Sequence, residues 1–191
     1  MKLLRLVENA NAIDPWIQFY HGGPLWRGRP EVRTAKGRYE CGPGIYLTTS
    51  YNRARSYAGG SRVVQLVSVD ASRIRFPDSV EVSLREAERM LGSVRIANRS
   101  KVLRDLKEVA AKRPLTANVV VNLLVNHEAL AGNSGPAVAE WLTELGVTAD
   151  VNRFHSEQWL IVFDPSIITR YRKVDPKTVT SDFEFDLPMK L

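Results

Sequence analysis

The order of strand-like and helix-like segments constrains the fold of this chain more than any other feature. Runs rich in aromatic and β-branched residues occupy the first third of the sequence, and another lies near its end. Between them, residues 81–146 carry apolar residues at helical spacing. Amphipathic helices bury their apolar face against a sheet, so this order favours the α+β class. We therefore expect an antiparallel β core with a helical block inserted at about 81–146.

Turn and cap residues divide the β regions into individual strands. Glycines, prolines or polar clusters bound each apolar run. The predicted strands are residues 16–20, 45–48, 62–70, 147–151 and 159–163. Ser50 is placed to cap a short helix that runs to Tyr57 and stops at Gly59. The first strand runs into the sequence His21-Gly22-Gly23.

The helical block has its own start and stop signals. Ser83 and Glu86 have the spacing of a capping box, which predicts a helix to about Leu91. Two further helices are predicted at about 100–113 and 116–130, separated by Pro114. A fourth has Pro136 in its first turn and ends at Gly146.

Length and composition point to one domain in a reducing compartment. A chain of 191 residues can bury a core without cross-links, and its single cysteine excludes an internal disulfide. The apolar start is short and interrupted by Arg5, which is not typical of a secretion signal, and no stretch is long enough for a membrane span. We expect a cytoplasmic protein with no membrane association. Residues 1–168 are predicted to be the domain and 169–191 a tail whose Leu187 could dock on it.

The chain is basic, with a net charge of +6 and an isoelectric point near 9.6. Cations are concentrated in residues 24–62 and 85–113. A basic face suits the phosphates of a dinucleotide or of a polynucleotide, although a solvated surface gives the same composition. Three scattered histidines have no metal-ligand spacing, so no metal site is expected.

Three separated motifs carry candidate chemistry. Tyr20-His21-Gly22 ends the first strand. Gly42-Pro43-Gly44-Ile45-Tyr46-Leu47-Thr48 forms the second, and Tyr57 follows eleven residues after Tyr46. The third motif is Glu157-Gln158-Trp159-Leu160-Ile161-Val162-Phe163-Asp164-Pro165. The ordered set is more specific than any one of its parts.

Together the motifs resemble the ADP-ribosyltransferase family, in its diphtheria-toxin-like and poly(ADP-ribose) polymerase-like branch with a His-Tyr-Glu signature. The match covers residues 16–70 and, in outline, 147–168. It implies an ADP-ribosyltransferase-like split antiparallel β core that clasps NAD as a substrate. The helical block has no counterpart in the family.

The resemblance implies roles for individual residues. His21 would bond the adenosine-side ribose and orient NAD, Tyr57 would stack on the nicotinamide, and Tyr46 would form the opposite wall. Gly22 would let the backbone reach the carboxamide. The implied cofactor-binding set is His21, Gly22, Gly23, Arg38, Tyr46, Thr48 and Tyr57. The arginines of 24–40 could pair with the pyrophosphate or with an acceptor's phosphates.

The family's catalytic carboxylate has two candidates here. Alignment on the aromatic residue that follows it would place Gln158 in that position. Strand parity favours Glu157, which shares a face with Trp159 and Ile161. The implied catalytic set is therefore His21, Tyr46 and either Glu157 or Gln158. The chain also departs from the family at Ala54, where a serine often bonds the carboxamide, and at Gly23, where serine or threonine is usual.

The resemblance implies mono-ADP-ribosyl transfer from NAD to a macromolecule, in the manner of a bacterial or phage toxin with a neutralising antitoxin protein as partner. The basic balance favours RNA or DNA as acceptor, with protein as the other choice. The alternatives are an NAD glycohydrolase without a macromolecular acceptor, an RNA 2′-phosphotransferase, and a non-catalytic NAD-binding module.

Overall fold

The fold was analysed in a computed structural model that describes residues 16–34, 39–61, 63–154, 157–179 and 187. The architecture is α+β, as the order of segments predicts. All strands belong to one six-stranded antiparallel sheet with the order β4-β5-β2-β1-β3-β6. The strands are β1 (Trp16–Gly22), β2 (Ile45–Thr48), β3 (Val64–Asp70), β4 (Ala149–Phe154), β5 (Glu157–Val162) and β6 (Ile168–Lys173).

The sheet consists of two halves that meet at a narrow joint. Strand β1 pairs with β3 through seven residues, from Trp16↔Asp70 to Gly22↔Val64. Strand β2 pairs with β5 through all four of its residues. In contrast, β1 and β2 share one register pair, Tyr20↔Thr48. Beyond this pair the two strands diverge, and the space between them is available to side chains.

Five α-helices are described. They are α1 (Tyr51–Tyr57), α2 (Leu84–Ser93), α3 (Arg99–Ala110), α4 (Ala117–Asn126) and α5 (Ser134–Glu144). The last four confirm the predicted helical block. Ser83 and Glu86 form the predicted capping box of α2, and the Ser50 side chain caps α1 by accepting from the Arg53 amide.

Apolar residues alternate between the two faces of the central strands, which fixes where the layers lie. On one face, Trp159 and Ile161 of β5 pack against the apolar sides of the helical block. On the other face, Leu160 and Val162 pack with Leu47 and with residues of β1 and β3. The helical block therefore covers one side of β5, and its core is continuous with residues near the joint.

The predicted tail is wrong for residues 169–173. This segment is part of β6, the edge strand that pairs with β3 from Val69↔Ile168 to Gln65↔Lys173. Its apolar residues are too few to predict burial, because an edge strand needs one covered face and leaves its arginines in solvent. Leu187 does dock as expected, since it packs near Tyr20 and Tyr51 and donates its amide to the Thr49 carbonyl at 2.7 Å.

Candidate functional site

A cavity of about 300 Å³ lies at the joint of the sheet, where β1 and β2 diverge. Three sequence motifs contribute to its walls. His21 and Gly22 come from β1, Tyr46 and Thr48 from β2, Tyr57 from α1 and Trp159 from β5. A volume of this size lies at the lower end of the range of small-molecule pockets. Residues far apart in sequence thus form one concave site.

His21 is held in one tautomer. Its Nδ1 lies 3.0 Å from the backbone carbonyl oxygen of Tyr46. A carbonyl oxygen can only accept, so Nδ1 carries the proton and donates it. Burial lowers the pKa of His21, the bond to Tyr46 raises it, and the positive charge of Arg33 lowers it. The neutral ring that results has its Nε2 lone pair available as an acceptor.

The imidazole is also fixed by an aromatic contact. The His21 and Trp26 rings stack with centroids 4.6 Å apart and an interplanar angle of 24°. Trp26 is buried, and its amide donates to Oε1 of Gln65, which is itself fully buried on β3. Gln65 therefore anchors the loop after β1, and the loop in turn orients His21.

Tyr46 braces the turn that precedes β2. Its hydroxyl donates to the Gly42 carbonyl at 2.8 Å and accepts the Cys41 amide at 3.0 Å. Burial raises the pKa of Tyr46, so its phenol stays neutral and can serve these two bonds. The ring meets Trp159 edge to face, with centroids 6.0 Å apart. Tyr46 is thus a fixed wall of the cavity.

Tyr57, in contrast, is an open wall. It ends α1 and is 56% exposed, and its ring meets Trp159 at 5.7 Å and 86°. Trp159 is therefore nearly perpendicular to both Tyr46 and Tyr57 and forms the floor between them. An aromatic slot with one rigid wall and one exposed wall suits a flat ring.

Gly22 has a packing role that the sequence did not indicate. A Cβ at this position would overlap the backbone carbonyl of Ala54 in α1. Only glycine lets α1 approach β1 so closely. Gly23 is tight against the histidine, because a Cβ there would lie 3.0 Å from Nε2 of His21. Both glycines therefore help to place the imidazole and α1 around the cavity.

Glu157 holds its carboxylate beside the cavity. It is 7% exposed, and it accepts from Thr48 Oγ1 at 3.0 Å and from Arg53 Nε at 2.8 Å. Both partners line the cavity. The carboxylate is thus buried, oriented by two hydrogen bonds and ion-paired with one guanidinium.

Gln158 lies on the other face of β5. It is 1% exposed, and its neighbours in strand parity are Leu160 and Val162, which pack away from the cavity. Its backbone amide donates a hydrogen bond to Oγ1 of Thr49 at 3.0 Å. Of the two candidates for the carboxylate position, Glu157 is the one whose side chain bonds residues that line the cavity.

Sequence reasoning did not identify Arg53, Glu40 and Trp159 as lining residues. Arg53 precedes Tyr57 by four residues, so the two share a face of α1, and this spacing could have found it. The bond from Arg53 to Glu157 spans 104 residues and has no local signal. Arg38, predicted to bind NAD, lies outside the described residues.

Three further features of the described residues concern metal binding, membrane spans and the reactivity of the cysteine. No group of three or more His, Cys, Asp or Glu side chains among them is placed to hold a metal ion. None of the helices in these ranges is long and apolar enough to cross a membrane. Burial and nearby carboxylates raise the pKa of the Cys41 thiol to about 11, so it is a poor nucleophile.

Comparison with protein families, with curated proteins and with solved structures finds no match to this chain. The site combines a neutral imidazole acceptor, an aromatic slot and a buried carboxylate paired to an arginine. These groups can bind a ligand with hydroxyls and a flat cationic ring, and they can stabilise positive charge that develops next to Glu157.

Proposed function

We propose that this protein is a mono-ADP-ribosyltransferase that uses NAD to modify a macromolecular acceptor. The observation that carries the proposal is the convergence of His21, Tyr46 and Tyr57 on one cavity, with Glu157 bonded to Thr48 and Arg53 of its wall. The single-pair joint between β1 and β2 supports an ADP-ribosyltransferase-like split core, because it opens the sheet at the place where NAD would lie.

NAD would be oriented from both ends of the cavity. The free Nε2 of His21 can accept a hydrogen bond from the adenosine-side ribose hydroxyl. Tyr57 and Tyr46 can enclose the nicotinamide, whose positive charge is attracted to an aromatic face. Arg33, whose positive charge lowers the pKa of His21, would be the arginine that pairs with the pyrophosphate. Positioning of this kind lowers the entropic part of the barrier.

Glu157 would act on the bond that breaks. In the transfer, the bond between the ribose C1 and the nicotinamide nitrogen breaks, and its electron pair leaves with nicotinamide. An oxygen or nitrogen of the acceptor forms the new bond to C1 and releases its proton. Positive charge grows on the sugar before the new bond forms, and the Glu157 carboxylate stabilises it most in that transition state. Thr48 and Arg53 hold the carboxylate in place for this role.

The rim of the cavity favours a nucleic acid as acceptor. Exposed aromatic rings are present at Tyr57 and at Phe154, which is 39% exposed and packs on Trp159 at 4.9 Å. Arg55 and Arg153 are exposed and lie within two residues of these rings in sequence. Unpaired bases stack on exposed aromatic rings, and arginines meet the phosphates. We therefore propose RNA or DNA, with an unpaired target base or end, ahead of a protein acceptor.

Nicotinamide release measured under four conditions tests the proposal. The purified protein is incubated with NAD alone, with single-stranded RNA, with single-stranded DNA and with lysate protein, and products are analysed by mass. We expect release that depends on nucleic acid and adds one ADP-ribose unit to it. Release without any acceptor would identify a glycohydrolase, and phosphate loss from a 2′-phosphorylated RNA would identify a phosphotransferase. Saturable NAD binding without release would identify a non-catalytic module.

A further inference from the structure

Trp159 contains a buried hydrogen-bond donor that the described protein does not use. The residue is 7% exposed, and its Nε1 has no hydrogen-bond partner in the part of the chain that the structure describes. Folded proteins pair nearly all of their buried donors, so an unpaired one at a pocket calls for a specific explanation. The other buried donors around the cavity are paired. The Tyr46 hydroxyl serves Gly42, and the Thr48 hydroxyl serves Glu157.

The indole that carries this donor is part of the candidate site. Trp159 lines the cavity as the floor between Tyr46 and Tyr57. A flat ring held between the two tyrosines would turn its edge toward the indole. Ala54, which lines the same cavity from α1, offers a methyl group and no donor. The indole N–H is therefore suited to a polar substituent on the edge of that ring.

We propose that the indole N–H of Trp159 donates a hydrogen bond to the carboxamide oxygen of the nicotinamide and positions the ring in the slot. This inference rests on the proposed function, because it assigns a residue to the nicotinamide end of NAD. The rings of Tyr57 and Phe154 pack on the indole, with centroids 5.7 Å and 4.9 Å from its own. Phe154 is 39% exposed, so its ring can shift into solvent without opening the core, while Tyr57 stays as the wall of the slot.

The test compares two ligands that differ by the nicotinamide. Trp159→Phe keeps an aromatic floor and removes the donor. We expect it to weaken NAD binding about tenfold, as for one hydrogen bond, and to leave the binding of ADP-ribose unchanged. Trp141→Phe, in α5, is the matched control and should leave both affinities unchanged, because Trp141 does not line this cavity.

A second measurement uses the unaltered protein. In a ¹H–¹⁵N spectrum of the tryptophan side chains, the indole resonance that Trp159→Phe removes belongs to Trp159. We expect NAD to shift this resonance downfield, as a new hydrogen bond does, and ADP-ribose to leave it in place. The inference would be overturned if NAD did not shift the Trp159 resonance, or if Trp159→Phe weakened the binding of NAD and of ADP-ribose equally.

The outcomes separate this inference from the proposed function. If the unaltered protein binds both NAD and ADP-ribose, and Trp159→Phe changes the two affinities equally or leaves both unchanged, the proposed function stands and the role of Trp159 is wrong. If the unaltered protein binds neither ligand, the proposed function fails and the assignment of the donor fails with it.

Discussion

The imidazole of His21 donates a hydrogen bond from Nδ1 to the backbone carbonyl of Tyr46, across 3.0 Å and between two strands that have stopped pairing. This bond does two things. It bridges the open part of the joint between the halves of the sheet, and it leaves Nε2 as the free ring nitrogen. The orientation and tautomer of one side chain thus connect the bridge across the joint to the hydrogen bonding of the cavity.

NAD binding should therefore persist to a lower pH than it would if His21 had the ordinary pKa of histidine. Burial lowers the pKa of His21 from its usual value of 6.5, so Nε2 stays an acceptor at pH 6.5 and is lost only below it. We expect the dissociation constant for NAD, measured by calorimetry, to be flat from pH 8 to 6.5 and to rise at lower pH. His21→Gln should bind NAD weakly with no such rise; a rise of equal size in this variant would assign the titration to another group.

The free energy of unfolding should also depend on the titration of His21, in the direction that its lowered pKa defines. Below pH 6.5 the unfolded chain takes up a proton at His21 that the folded chain does not, so stability falls as pH falls. One such proton contributes a slope of at most about 1.4 kcal/mol per pH unit. Urea unfolding at several pH values should show a smaller slope for His21→Gln than for the unaltered protein. Equal slopes would mean that His21 titrates alike in both states.

Tyr57→Ala should weaken NAD binding by roughly 1–2 kcal/mol, because it removes the exposed wall of the slot. Tyr57→Phe keeps the ring and should bind as the unaltered protein does. Since the side chain is 56% exposed, thermal unfolding of Tyr57→Ala should change little. Unchanged affinity in Tyr57→Ala, measured by titration calorimetry, would remove Tyr57 from the site.

Glu157→Gln should reduce turnover by about 100-fold to 1000-fold with little change in NAD affinity, as for a contact that is strongest in the transition state. Gln158→Ala should instead lower the stability of the fold and leave turnover nearly normal. Gln158 is buried on the opposite face, so we expect a loss of stability of about 1–3 kcal/mol and a nearly normal kcat. Nicotinamide release and thermal unfolding of both variants decide between them; a larger kcat effect at Gln158 would reverse the assignment.

Trp26 should act through His21. Trp26→Leu fills apolar space but removes the stacked ring, and we expect NAD affinity to fall by about 0.5–1.5 kcal/mol. Trp26→Phe restores a ring and should recover most of that loss. If the two variants bind NAD equally well, the stack does not orient the imidazole.

The helices and most strands were predictable from local chemistry. Ser50 and Ser83 cap helices because each can reach an amide three residues on, whatever the rest of the fold does. The faces of β5 were predictable as well, since alternation alone separates Glu157 from Gln158. These features depend on spacing within a few residues.

Features that depend on distant partners were not predictable. The Arg53–Glu157 pair and the stack of Trp26 on His21 exist because the sheet brings separate elements together. Strand β6 was assigned to a tail because its side chains are mostly exposed, and the backbone pairing with the distant strand β3 that defines it leaves no local signal. The same limitation hid Trp159, which looked like an ordinary core residue until its position under two tyrosines was known.

The joint at Tyr20 and Thr48 gives any occupant of the cavity a structural as well as a chemical effect. A molecule that touches His21 on one strand and Tyr46 and Trp159 on the others adds connections where the backbone supplies a single pair. Binding would tie the two halves of the domain together, and resistance to unfolding would rise with the concentration of that molecule. A bound substrate would thus link the two halves of the sheet that form its site.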